Sequence, residues 1–490
     1  MGDQLMAVNY RFAQGVDLPS WHWLSEFPAG ASNPGTSNVY DGNRYIYWAV
    51  QYGTTTAGTA STTQLWRYCT WTNGWQFLAG LTAGNQGIDL EFDPVRNVVW
   101  LTIGAALTEW RYFNLNSTSL TLCGLTTGAF TLSSAIATVL PATATVGASL
   151  ALINDLELVS TFDSGAAAAG STTTSIVSAN APGTFLASIV GLQIRFTSGA
   201  LAGQKRIITS VTSPTVLGVT RAFGGAPAAA DTWVIEVPSD TAAAGSTTTT
   251  LVTTGGLPAG VFANADVVIT GGTGSGQRRR IGSHDATTLT LAGAVAGNPR
   301  TGAWTTTPDA TSTYQIVPSS DFLYFLVGNN STAVWKIDVM ATTLAWTAVA
   351  ALPGTANGGA NFMHPASSAP FRLVALRGNG TANIYFYDPG NNSWSTPTVL
   401  AASETFTTGA SSALMPGRRK MFIQKEGSPR CYILDLVTGA LDGAGFMPYA
   451  SPAGYDGHRA RYVKSASGVE WLYLLRAGGQ EFYRLPVEWL

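Results

Sequence analysis

Two internal repeats of different length divide this chain of 490 residues, and together they leave few folds open. The outer parts repeat at about 40 residues, while the middle, residues 161–318, repeats at about 75. The outer repeat is clearest at residues 38–80. Asn38-Val-Tyr-Asp-Gly-Asn-Arg-Tyr-Ile-Tyr-Trp reads as strand, turn, strand, with Asp41-Gly42 as the tight turn between two β-rich runs. Gln64-Leu-Trp-Arg-Tyr-Cys is a third strand, and Asn73-Gly74 turns the chain into a fourth, Trp75-Gln-Phe-Leu. A four-stranded meander of this length is the size of one propeller blade. The same grammar restarts at Ile88, at Ala148 (interrupted, resuming at Asp321), at Phe371, at Lys420 and at Ala460. Six units predict an all-β fold, a six-bladed β-propeller. The sixth lacks a clean fourth strand before Leu490. Trp21-His-Trp-Leu-Ser-Glu-Phe-Pro resembles the fourth strand of the first unit, so residues 20–28 are expected to close the last blade and leave no open sheet edge.

The middle is a tandem pair. Ala168-Ala-Gly-Ser-Thr-Thr-Thr matches Ala243-Ala-Gly-Ser-Thr-Thr-Thr, Gly203-Gln-Lys-Arg-Ile-Ile matches Gly276-Gln-Arg-Arg-Arg-Ile, and each copy closes on Val-Pro-Ser. Short runs of alternating polarity, such as Gly191-Leu-Gln-Ile-Arg-Phe, predict half-buried strands. Two small β-sandwich or barrel-like modules are expected, inserted between the first strands of the third blade. The predicted division is residues 1–160 for blades one, two and the start of three; 161–239 and 240–318 for the modules; and 319–490 for the remainder.

Composition narrows the setting. Only 11% of residues are charged, against about 25% in an ordinary soluble domain. The 15 Trp, 17 Tyr and 20 Phe exclude a disordered chain. A surface that is polar but poor in charge suits a subunit covered by neighbours, or one that works outside a cell. A net charge of −2 excludes a globally basic nucleic-acid binder while leaving room for a local basic lining. No apolar run approaches the roughly 18 residues of a membrane span, and the first residues have neither the basic nor the apolar region of a secretory signal. Cys69, Cys123 and Cys431 lack metal or redox spacing and read as buried thiols.

Catalytic patterns are sparse. His22, His284, His364 and His458 have no metal-ligand spacing, and no Gly-x-Ser-x-Gly elbow occurs. Asp89, Glu91 and Asp93 alternate along one strand and read as a solvated or arginine-paired face rather than a glycosidase pair. Gly272-Thr-Gly-Ser-Gly-Gln-Arg-Arg-Arg lacks the Lys-Ser/Thr of a phosphate loop and reads as a hairpin turn with exposed arginines. No enzyme activity, metal or cofactor is expected. Three basic clusters remain, Lys205-Arg206, Arg278-Arg279-Arg280 and Arg418-Arg419-Lys420, as candidates for contact with an acidic neighbour or with DNA. Trp71 and Trp75, flanking a Thr-Asn-Gly turn, are candidates for stacking on a sugar.

Two resemblances bear on these readings. Tyr387-Asp388-Pro389 followed by Trp394 resembles the blade ending of kelch-type β-propellers, although this unit departs from that family in lacking the Gly-Gly doublet after its second strand. The tandem pair, with Ala-Gly-Ser-Thr-Thr-Thr followed by Gly-Gln-Lys/Arg-Arg, resembles a module that recurs in virion proteins of tailed bacteriophages. That resemblance implies a particle subunit of the tail, nozzle, neck or fibre. It would be assembled in the host cytoplasm, and its partners would be copies of itself (a six-fold ring favoured), other virion proteins and the phage DNA. A receptor-binding propeller recognising host-surface glycan is the alternative.

Overall fold

The computed structural model describes residues 7–8, 21–24, 27, 33–52, 62–81, 88–93, 97–104, 107–115, 138–144, 147–153, 163–179, 185, 189–254, 256–258, 261–263, 265–294, 300–317, 322–339, 344–358, 360–364, 373–389, 392–395, 398–399, 405–407, 410–415, 420–425, 427–436, 441–446, 459–464, 468–475 and 482–487. The protein is all-β, with antiparallel pairing throughout the strands described. Six sheets come from the outer parts of the chain. Sheet 1 is Asn33–Tyr40, Tyr45–Tyr52, Thr62–Cys69 and Gly74–Leu81, paired in that order. Asp41 makes its first turn. The carboxylate accepts N–H groups from Asn43, Arg44 and Tyr45 at 2.9–3.1 Å, and Gly42 takes a φ of 75° that a side chain would disfavour.

Sheet 2 comprises Ile88–Asp93, Val98–Ile103 and Trp110–Asn114. The grammar of sheet 1 calls for a fourth strand after Asn114, and residues 116–137 lie outside the described residues. Sheet 3 pairs Ser149–Ile153 with Phe322–Leu326, then Val334–Asp338 and Trp346–Ala348, so the two modules replace the turn of its first hairpin. Sheet 4 begins at Asn361–Met363 and sheet 5 at Ser411–Met415. Sheet 6 runs Arg459–Lys464, Glu470–Leu475 and Phe482–Pro486, and its next strand is Trp21–Trp23 from the opposite end of the chain.

The first strands of the six sheets neighbour one another in a closed circuit, in chain order, with the last beside the first. Each adjacent pair of sheets shares an apolar core, and six such cores complete the cycle. A strand packed on both faces cannot alternate, which is why Val98–Ile103 and Ser149–Ile153 are buried at every position and are almost wholly apolar.

Polar side chains on the first strands stitch neighbouring sheets together. Ser37 accepts the N–H of Leu90, Asp89 that of Leu150, Ser149 that of Phe362, and Ser411 that of Ala460, at 2.7–3.1 Å. Between sheets 4 and 5 the link is Asn361 Nδ2 donating to Ser412 Oγ at 2.8 Å. Between sheets 6 and 1, Tyr40 Oη donates to the Lys464 carbonyl at 3.3 Å. Each bond satisfies a polar group on an inner edge that has no further strand beside it.

The modules share one topology. In each, six strands pair in the order first, sixth, third, fourth, fifth, second. The first strand also meets the second through an isolated bridge, Ala167 with Ser178 and Ala242 with Thr253, so each sheet curls into a barrel-like form. The cores centre on Trp233 in module 1 and on Trp304 and Tyr314 in module 2. One cysteine departs from the reading of three thiols. Cys69 is disulfide-bonded, while Cys431 is a buried thiol.

Candidate functional site

Two places concentrate charge among the described residues. The first is the interior of the six-sheet cycle. Asp89 accepts hydrogen bonds from the Ser37 and Ser149 hydroxyls as well as from Leu150. Glu91 accepts the N–H of Leu152 at 3.0 Å. Arg461, on the first strand of sheet 6, acts electrostatically on Glu91, although sheet 1 stands between sheets 6 and 2 in the circuit. The acidic strand therefore serves the ring itself, and its partners are serines and backbone N–H groups as much as arginine.

Although Glu91 keeps some contact with solvent, desolvation pushes its carboxyl up to about 8, with Asp89 and Asp93 adding to the shift and Arg461 opposing it. His364, just past the first strand of sheet 4, is lowered to about 4 by burial. These shifts have opposite consequences for stability. Folded His364 resists a proton that the unfolded chain binds, so its contribution is lost as pH falls below about 6.5. Folded Glu91 holds a proton that the unfolded chain has released, so its contribution is lost as pH rises towards about 8. Between 6.5 and 8 only Glu91 of this pair titrates. Wild-type stability is expected to fall with pH across that window, and Glu91→Gln to flatten the slope in urea midpoints measured at several pH values. An unchanged slope in the variant would contradict the assignment.

The second place is the pair of modules, where the Gly-Gln-Lys/Arg-Arg motif turns out to be structural. Gln204 accepts the N–H of Gly224 at 3.0 Å, and Gln277 accepts those of Thr305 and Thr306 at 2.7 and 3.0 Å. Arg206 donates to the carbonyl of Ala222 and lies over the Phe223 ring, and Arg279 does the same with Ala303 and Trp304. In both modules the motif pins the segment that follows the fifth strand. Arg278 and Arg300 converge on Asp266, which is fully buried, at 2.7 and 2.8 Å, and Arg280 is buried as well.

The expected hairpin tip of exposed arginines is thus corrected. Arg278, Arg279 and Arg280 lie on the strand Arg278–His284, and their charges point back into the module. Lys205 donates to the carbonyl of Ser239, which the structure places on the first strand of module 2, Ser239–Thr241, one residue before the boundary expected from the sequence. Lys420 starts the second strand of sheet 5 and is half-buried; Arg418 and Arg419 lie outside the described residues. Of the histidines, His284 accepts the Phe262 N–H through Nε2 at 3.1 Å, which leaves Nδ1 to donate to the Asp285 carbonyl.

The two tryptophans part company. Trp71 is 57% exposed, with the Arg44 guanidinium 4.3 Å from its ring. Trp75 packs in the core between sheets 6 and 1, its ring 4.9 Å from that of Phe27 and 5.0 Å from that of Phe482. Its half-buried ring is engaged by these neighbours, whereas that of Trp71 is open to solvent. Tyr68 donates to Asn73 Oδ1 at 2.8 Å and Trp75 packs on Tyr68; in sheet 4, Tyr387 donates to Asn392 at 2.7 Å and Trp394 packs on Tyr387. The Tyr…Asn…Trp ending is a way of locking the turn between the third and fourth strands, with the asparagine at positive φ in both.

Among the described residues no cluster of three His, Cys, Asp or Glu could hold a metal ion, and no helix is long and apolar enough to cross a membrane. No family model and no curated protein matches the chain. Among solved structures it is similar to YjhT at 18% identity over 34% of this chain, with a TM-score of 0.24; the chain spans 63% of the length of YjhT. It is similar to Sqt1 of Saccharomyces cerevisiae at 7% identity, covering 94% of this chain and 86% of that one, with a TM-score of 0.34. A chain of a mitotic checkpoint complex matches at 9% identity over 95% of this chain and 93% of its own, with a TM-score of 0.37. None of these likenesses carries over an activity or a partner.

Proposed function

We propose that the six-sheet cycle is a six-bladed, kelch-like β-propeller, and that the protein is a non-enzymatic structural subunit of a tailed-phage virion, in the tail nozzle, neck or fibre attachment. The observation that carries this reading is the tandem pair of modules of one topology grafted onto a single hairpin of the ring, with the sequence signature that resembles phage virion modules. The low charge supports it, because a surface covered by neighbours has less need of charge for solubility. In this reading the ring and its modules contact copies of the same chain, other virion proteins and the DNA passing through. Light scattering on the purified chain, alone and with particle components, tests it. Closed oligomers, six-fold favoured, are expected. A chain that stays monomeric at high concentration in both settings would overturn the assembly role.

Exposed Trp71 with its stacked Arg44 favours a second reading, a receptor-binding surface for host glycan. Loss of host-cell binding by Trp71→Ala, with assembly intact, is the result this reading requires.

A further inference from the structure

Where module 1 meets module 2 there is a cleft of about 70 Å³, room for a few waters or one small oxyanion. Lys205, Arg206 and Arg221 from module 1 line it, with Ser239, Asp240 and Tyr314 from module 2. Three cations thus face one carboxylate. Asp240 is already engaged, accepting from the Thr254 hydroxyl and from the Thr241 N–H at 2.9 Å each. Lys205 is held in place by the Ser239 carbonyl, and Arg206 by the Ala222 carbonyl and the Phe223 ring.

Arg221 differs from both. It is exposed, has no hydrogen bond or ion pair to another described residue, and sets its guanidinium against Gly256 of the other module. A Cβ at Gly256 would come within 2.7 Å of the guanidinium carbon, and the glycine φ of 87° disfavours a side chain in any case. Module 2 has no counterpart. Thr220 and Ala292 make the same backbone bond, to Ile207 and Arg280, and the next residue is Arg221 in one copy and Gly293 in the other. Burial lowers the proton affinity of Arg206, and the nearby Arg221 cation lowers it further.

We propose that the junction of the two modules is a binding site for an oxyanion of the phosphate class, held by Arg221 with Lys205 and Arg206. The ligand supplies the negative charge that the cleft lacks and ties module 1 to module 2. The same chemistry is offered by free phosphate and by the phosphodiester of DNA, so the site stands whether or not the virion reading does.

The test titrates inorganic phosphate into the full chain at constant ionic strength, by calorimetry and by 31P line width. Saturable binding is expected, weakened about tenfold or more in Arg221→Ala, the scale of losing a charged hydrogen bond. Arg195→Ala, which removes a cation of the same module outside the cleft, is expected to leave it unchanged. Duplex DNA as competitor separates the sources: displacement of phosphate assigns the site to a nucleic-acid backbone, and retention assigns it to the free anion. Absence of saturable binding, or equal weakening by Arg195→Ala and Arg221→Ala, overturns the proposal. Closed oligomers without phosphate binding would refute the site alone, and binding by a strict monomer would refute the assembly role alone.

Discussion

A chain lacking residues 1–30 is expected to unfold at a much lower urea concentration than the full protein. The deletion removes Trp21–Trp23, which pairs with Phe482–Pro486, together with the bond from the Leu24 N–H to the Phe482 carbonyl at 2.8 Å. It also removes Phe27, which has no exposed surface and meets Trp66 and Trp75 edge-on. Truncating a buried Phe costs about 3–5 kcal/mol and a buried Leu about 2–5. Their sum is comparable to the whole net stability of a domain, about 5–15 kcal/mol. Phe27→Ala isolates the packing part and is expected to cost about 3–5 kcal/mol by itself. Tryptophan fluorescence follows both, since Trp66 and Trp75 line the cavity left behind. An unchanged midpoint in the truncated chain would show that the terminal strand is a passenger.

Asp266→Ala is expected to unfold module 2 while sparing the ring. Asp266 is the shared acceptor of Arg278 and Arg300, and the Arg300 side chain is only 4% exposed. Without the carboxylate, the Arg300 cation remains in a site that cannot solvate it, a loss of about 3–5 kcal/mol for breaking such a pair from one side. Module 1 has Gln193 at the matching strand position, hydrogen-bonded to Glu236, so the same device is absent there. Limited proteolysis should therefore cut the variant within residues 240–318 and leave the other module intact. Wild-type resistance in the variant would mean that the arginines find other partners.

Turns and apolar runs were the legible part of this sequence. Asp41-Gly42 and Asn73-Gly74 announce turns because so few residues accept positive φ, and both stand between paired strands in the structure. The all-β character follows from the same runs. The stitching around the ring was not legible, because Ser37, Asp89, Ser149, Asn361 and Ser411 are small polar residues of three types, none of which marks an inner strand by itself. They share only a place on the first strand of their sheets. The arginine motif misled for a different reason. Whether Arg278, Arg279 and Arg280 face water or the core depends on strand register, and a shift of one residue reverses every face. Trp71 and Trp75 look equivalent in the sequence, yet the tight turn at Asn73 sends one to solvent and the other between two sheets.

The point of attachment of the modules also sets how the molecule bears load. Both connections leave sheet 3 at the same end of one hairpin, where Ile153 pairs with Phe322. A pull that separated those connections would peel the hairpin one hydrogen bond at a time, the weakest way to strain a sheet. The modules prevent this by pairing their own entry and exit strands, Asp163 with Ile235 and Ser239 with Gln315. Tension on a module is thereby carried first by its own closing strands, which act as a clasp, and reaches the ring only after the clasp has opened.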